Sequence, residues 1–286
     1  MPEDLESYFI DLLDTTKSRY KLSQTYGTGQ LTQEIMDANY RWDYSEDVVE
    51  ELEKYFPDLS ELPSEKHINS PMLNAQQLKD RFNQALRNDD RFEGWKADIS
   101  DKRPYNIFVS QDNKAIQVGI EVKRTELQFR RLLVHEIGTH VLRSVKANYS
   151  NNPLIKNAIL PDYILLEEGL AVYSEWKEGL LSKEVWDRYR SRHLAVITAK
   201  KHSFLETFHL LGGQYPHTSP NELFITTMRV KRGFIDGRLP GAYPKGSAYK
   251  IGFAIVNKLL EKHSIEDLMT GKFGINELKL IEYDLL

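Results

Sequence analysis

The chain has 286 residues, 41% of them hydrophobic and 11% aromatic, enough for one large domain or two lobes with proper cores. A formal net charge of −4 gives no electrostatic case for nucleic acid, and the lack of cysteine excludes disulfides, thiolate metal sites and cysteine nucleophiles. The acidic start has no apolar signal core and no run approaches the ~20 apolar residues of a membrane span, so the expectation is a soluble cytoplasmic protein without a membrane partner.

Leu5, Phe9, Leu12 and Leu13 recur at helical spacing and predict an amphipathic helix from residue 3 to about residue 22. Tyr26-Gly27-Thr28-Gly29 ends it. This Gly-x-Gly reads as a turn, because no strand precedes it and no lysine follows to hold a phosphate. Helices are expected from Leu31 to about Tyr40 and from Ser45 to about Tyr55, the second capped by Ser45. Pro57, Pro63 and Pro71 punctuate a connector that could mark a lobe boundary. The expected organisation is an N-terminal helical segment, 1–70, packed on a catalytic domain, 71–286.

Asn74 with Gln77 makes a capping-box pattern that starts a helix through about Leu86. The hydrophobic period then falls from 3.6 to 2. Trp95, Ala97 and Ile99 alternate, as do Ile107 and Val109, then Ile116, Val118 and Ile120, with Asp112-Asn113 turning between the last two. These predict a small antiparallel sheet. Its edge either pairs with an extended peptide or is purely structural. Thr125 and Gln128 form a second capping box, and the helix they start runs through Phe129, Leu132 and Leu133.

That helix leads into Val134-His135-Glu136-Ile137-Gly138-Thr139-His140-Val141-Leu142, where two imidazoles and a carboxylate stand in an apolar run. Burying them together is costly unless something binds or pairs them, and a divalent metal does so. Residues five apart on a regular α-helix point roughly 140° apart, so His135 and His140 share an ion only if the helix carries a π-bulge between them. Glycine at 138 tolerates such a deformation, and the Thr139 hydroxyl can bond a freed carbonyl. The alternative is a pair of buried histidines satisfied by neighbours.

Asn148 to Pro153 reads as a loop, and the chain re-enters helix at Pro161-Asp162. The segment Tyr163 to Trp176 offers a third ligand. Glu167 and Glu168 point about 100° apart, and Glu168 lies on the apolar side with Gly169 beside it, where another backbone can approach closely. Two imidazoles and one carboxylate leave a position open for water, the arrangement of a catalytic zinc site. Glu136 diverges from His135 on the helix and suits the general base that takes a proton from activated water. Glu175, two turns further on, suits a carboxylate that orients a histidine. Arg188, Arg190, Arg192, His193, Lys200, Lys201 and His202 form a basic stretch that reads as a solvated face, or as a hold for an acidic tail.

The segments Val134-His135-Glu136-Ile137-Gly138-Thr139-His140-Val141-Leu142-Arg143 and Glu167-Glu168-Gly169-Leu170-Ala171 together resemble the bacterial proteins named for a Gln-Glu-Gly-Leu-Ala motif. That family includes the microtubule-associated tyrosine carboxypeptidases. Arg229-Val230-Lys231-Arg232-Gly233 resembles its Arg-x-x-Arg-Gly segment, Tyr243-Pro244-Lys245 with Tyr249 and Gly252 a further one, and Tyr26-Gly27 an N-terminal one. The resemblance implies one zinc held by His135, His140 and Glu168, with Glu136 as catalytic base. It also implies removal of a C-terminal residue, possibly tyrosine, from a peptide or protein tail. Arg229, Arg232 and Lys245 are then candidates for the terminal carboxylate and Tyr249 for the oxyanion. Glu167 stands where the family usually has Gln, and Gly246 where it has Asp.

The expected class is α+β, a mainly helical zincin-like (gluzincin-type) metallopeptidase with a small antiparallel sheet beside the active-site helix. Two other readings remain: a zinc dipeptidyl- or aminopeptidase, and a non-catalytic binding protein of the same fold. The first needs acidic groups for a substrate amine, whereas the residues flanking this site are arginine and lysine.

Overall fold

A computed structural model describes residues 3–41, 45–64, 71–150, 156, 160 and 162–278. Helix α1 (Glu3–Thr25) ends in the expected turn, where Gly27 and Gly29 adopt φ of 73° and 81°. Helix α2 (Gln33–Asn39) is capped by Thr32, whose side chain accepts from the Ile35 amide. Helix α3 (Glu46–Glu51) is shorter than expected and passes into a 3-10 turn, Glu53–Tyr55. Ser45 stands at its N-cap but makes no side-chain capping hydrogen bond.

Both predicted capping boxes form, at Asn74–Gln77 for helix α4 (Ala75–Arg87) and at Thr125–Gln128 for helix α5 (Glu126–Leu132). Between them lie β1 (Lys96–Ser100), β2 (Ile107–Ser110) and β3 (Ala115–Gly119). The sheet is mixed, which corrects the antiparallel expectation. Its order is β1-β3-β2, with β1 parallel to β3 from Lys96↔Ala115 to Ser100↔Gly119 and β2 antiparallel to β3. Alternation locates strands and the Asp112-Asn113 turn locates the hairpin, but neither tells which side of the hairpin β1 joins. Residues 101–106 carry the chain across the end of β3, where the Gly119 amide donates to Asn106 O at 2.8 Å. A Cβ at Gly119 would lie 2.4 Å from the Arg103 and Pro104 carbonyl oxygens, so glycine admits this crossing.

Leu78, Phe82 and Leu86 of α4 bury one sheet face with Ala97, Ile116 and Val118, and Phe129, Ile137 and Val141 close the same cluster. The remainder is helical: α6 (Leu142–Tyr149), α7 (Tyr163–Lys177), α8 (Lys183–Lys201), α9 (Phe204–Gln214), α10 (Pro220–Val230), α11 (Lys245–Leu259), and the single turns α12 (Ile265–Leu268) and α13 (Ile275–Leu278). Pro161 and most of the predicted loop end, 151–153, lie outside the described residues. Leu52 joins the core cluster of Ala195, Val196, Leu223, Ala248 and Ile251, with Val48, Val49, Tyr55 and Phe56 packed on it. No described helix is long and apolar enough to cross a membrane.

Candidate metal centre and basic cavity

Residues Leu133–Val141 form a π-helical run joining α5 to α6. The i→i+5 turn does what the spacing demanded: the His135 and His140 rings share one face, centroids 5.0 Å apart. Thr139 Oγ1 donates to Val134 O, five residues back, at 3.4 Å. Gly138 has no steric reason to be glycine, since an added Cβ would meet only Leu133 O at 3.8 Å.

Helix α7 faces this run and supplies two adjacent glutamates, both 4% exposed. Their roles divide as the helical angle requires. Glu168 joins His135 and His140 in a group whose ligand atoms all lie within 4.8 Å of one another. Glu167 turns the other way, to His140 Nδ1 at 2.7 Å and to the guanidinium of Arg143. His135 Nδ1 is held likewise by Glu175 at 2.7 Å, and Glu175 accepts from the Tyr189 hydroxyl at 3.1 Å. With both Nδ1 atoms engaged, the Nε2 atoms are left for a common ligand.

Glu168 Oε1 pairs with Lys245 Nζ at 2.7 Å, while Oε2 is buried with no hydrogen-bond partner and lies 3.7 Å from His135 Nε2. An orphaned buried carboxylate oxygen beside two oriented imidazoles fits a divalent cation, and two nitrogens with one oxygen suit zinc. Arg143 is wholly buried between the Tyr163 and Phe273 rings and donates to Phe273 O at 2.9 Å. Glu175→Ala is expected to weaken zinc binding about 10- to 100-fold in chelator competition, because it frees His135 to rotate.

The electrostatics follow from burial and these contacts. Burial pushes the Glu136 carboxyl up, and the charges of His135 and His140 offset this only in part. Burial also raises Glu168, but Lys245, His140 and His135 outweigh it and hold it at about 2. Burial works against a charged His140, yet the Glu167 hydrogen bond and the Glu167, Glu168 and Glu136 charges raise it to about 9. Below that pH a metal must displace a proton from this imidazole. Zinc affinity is therefore expected to rise with pH, by up to about tenfold per unit between pH 6 and 8 for one proton released. Titrations at several pH values check this; a flat profile would remove the His140 proton from the binding step.

Through His135 the group borders a cavity of about 300 Å³ lined also by Glu136, Tyr189, Tyr243 and Tyr249 and by Arg103, Arg124, Arg131, Arg192, Arg229, Arg232 and Lys245. Burial first, then Arg192, lowers Arg229 to about 10; burial, then Arg131, lowers Arg124. Arg192 lies over the Tyr249 ring at 5.0 Å, and Tyr249 stacks on Tyr189 at 5.0 Å. Burial, then the Glu168 carboxylate, push the Tyr249 hydroxyl up to about 12. Among the described residues Arg229 has no carboxylate partner and feels the like charges of Arg192, Arg232 and Arg124.

A second cavity of about 240 Å³ is bordered by all three of His135, His140 and Glu168 and by Ile107, Phe108, Val109 and Gln111, and shares His135, Glu136, Lys245 and Tyr249 with the first. Edge strand β2 thus runs along the cleft.

Arg229, Arg232, Lys245 and Tyr249 come together here as the sequence anticipated, although Lys245 is committed to Glu168. Arg103, Arg124, Arg131 and Tyr189 were missed. Arg131 stands four residues before His135 and so shares its face, a signal that helical periodicity carried. The basic stretch on α8 divides. Arg192 faces the cavity, Arg190 pairs with Asp187 at 3.2 Å, and His193 is buried against Ser247.

Fold and site together define an α+β, mainly helical protein with a candidate single-metal centre bordering an arginine-walled cavity. The chain belongs to the microtubule-associated tyrosine carboxypeptidase family, whose sequence pattern it matches over residues 12–285. None of the individually curated proteins compared with it matches.

Proposed function

We propose that this chain is a zinc-dependent metallocarboxypeptidase on a zincin-like scaffold, removing a C-terminal residue, tyrosine foremost, from a peptide or protein tail. The observation that carries this reading is that the His135–His140–Glu168 group meets, at His135, a cavity walled by arginines. A substrate's terminal carboxylate matches those walls, whereas a substrate amine finds no surplus of acid there. The family's description, a tyrosine carboxypeptidase, supports the same choice. Residues 71–286 would form the catalytic domain, with 1–70 packed on it.

His135 Nε2, His140 Nε2 and Glu168 would hold the zinc. A bound zinc supplies Lewis-acid chemistry, acidifying water and polarising a carbonyl. Glu136 takes a proton from the attacking water and delivers it to the amine nitrogen as the peptide C–N bond breaks. Its upward shift brings its basicity closer to neutral pH, where proton transfer is best matched. Tyr249 donates its hydroxyl proton in a hydrogen bond to the developing oxyanion. Arg229 and Arg232 bind the terminal carboxylate, and Lys245 steadies Glu168 so that one oxygen faces the metal. The β2 edge pairs with the extended substrate backbone.

The test is mass spectrometry of two peptides ending in tyrosine, one with a free carboxylate and one amidated. The free peptide should lose one residue from its C-terminus and the amidated peptide should not. Loss from the N-terminus would replace this reading with an aminopeptidase.

A further inference from the structure

The first forty residues carry none of the chemistry above, yet they touch the segment that bears it. Arg229 is the penultimate residue of α10; residues 231–244 then run to α11 without regular structure and supply Arg232 and Tyr243 to the cavity. Such a segment needs outside contacts to fix Arg232 and Tyr243.

Those contacts come from residues 22–40. The Gly27 amide donates to Gly233 O at 3.2 Å. Gly233 adopts φ +93°, and a Cβ there would lie 2.6 Å from the Tyr26 ring and 2.9 Å from Leu31, so tyrosine and glycine form a matched pair. The Ala242 amide donates to Gln33 Oε1 at 2.6 Å, and the Tyr40 hydroxyl bonds that of Tyr243 at 3.2 Å, their rings edge to face. Arg232 in turn lies over the Tyr243 ring, 5.7 Å from its centroid. Leu31, Ile35 and Met36 are buried with Phe234 and Tyr243 packed on them. Asn39 ties α2 back to α1 through Ser18 O at 3.0 Å.

We propose that residues 22–40 form a strap whose Tyr26 and Tyr40 are positioning residues for the substrate cavity, acting through Gly233 and Tyr243 to set Arg232, beside the helix-borne Arg229, for an anionic peptide terminus. The strap contacts named above fall on Gly233, Phe234, Ala242 and Tyr243 and not on His135, His140 or Glu168, so loss of the strap is expected to change peptide capture and leave the metal alone. This rests on the carboxypeptidase reading for what the cavity holds.

The experiment measures binding of an N-acetylated tripeptide with a free C-terminal tyrosine to the zinc-loaded full-length Glu136→Gln protein, alone and with Tyr26→Ala, Tyr26→Phe or Tyr40→Phe. Tyr26→Ala should weaken binding about tenfold, since a misplacement of roughly 1 Å at a remote contact has effects of this order or larger. Tyr26→Phe should bind like the parent, and Tyr40→Phe, which keeps the ring and the fold, should weaken binding measurably. Zinc stoichiometry should not change. In the Glu136-containing enzyme the same strap variants should raise KM with kcat nearly constant.

Unchanged affinity in both Tyr26→Ala and Tyr40→Phe, or loss of zinc in step with loss of peptide, overturns the strap. Peptide binding without hydrolysis by the wild type would overturn the peptidase reading alone. A parent that binds no peptide overturns both.

Discussion

Replacing Glu136 with glutamine is expected to lower kcat by about a thousandfold while zinc stoichiometry and thermal stability stay at wild-type values. Glutamine keeps the shape and the polar contacts of the buried side chain but cannot accept a proton. Glu136 is 7% exposed, borders both cavities and is not part of the ligand-forming group, so the loss falls on proton transfer. Single-turnover hydrolysis with metal analysis on the same sample separates the two effects. Retained activity would remove Glu136 as the base, and lost zinc would make it a ligand.

Gly169→Ala is expected to destabilise the protein by about 3 kcal/mol or more and to reduce zinc retention with it. A Cβ on Gly169 would lie 2.3 Å from the backbone of Gly252, and one on Gly252 would lie 2.2 Å from Leu165 O. Helices α7 and α11 therefore cross backbone to backbone. Neither side has a flexible side chain that can yield. Glu168 precedes the crossing on α7, and Lys245 opens α11, so pushing the helices apart also parts the ion pair that steadies the ligand. Denaturant unfolding measures the stability and chelator competition the retention. A wild-type midpoint for Gly169→Ala would contradict the close crossing.

Much of this site was legible because it obeys local rules. The five-residue separation of His135 and His140 excludes a regular helix, and the π-helical run resolves that conflict as expected. The helical angle between Glu167 and Glu168 lets only one join the group with both histidines, and Glu168 does so while Glu167 turns to His140 Nδ1 and Arg143. The glycine beside it announced a close backbone approach, and Gly252 is the partner.

Other features depend on contacts that no local period encodes. Arg143 only closes the quoted segment in the sequence, yet it is buried between two rings and holds Glu167, because its partners lie on α7 and at Phe273. Arg103 and Arg124 stand in stretches that are unremarkable in their own neighbourhoods, and no local pattern joins them to Arg192, Arg229 and Arg232 in one cavity. The parallel pairing of β1 depends on a crossing over Gly119 that alternation cannot reveal. The resemblance at Tyr26-Gly27 acquires its meaning only when Gly233 is found beneath the tyrosine ring.

The most direct test of the metal centre is zinc X-ray absorption on the purified protein, wild type against Glu168→Ala and His140→Ala. One zinc per chain is predicted, bound by two imidazole nitrogens at about 2.0–2.1 Å and by oxygen, with either substitution lowering the stoichiometry. Protein without stoichiometric zinc after reconstitution, or zinc whose shell lacks histidine and ignores both substitutions, would contradict the account.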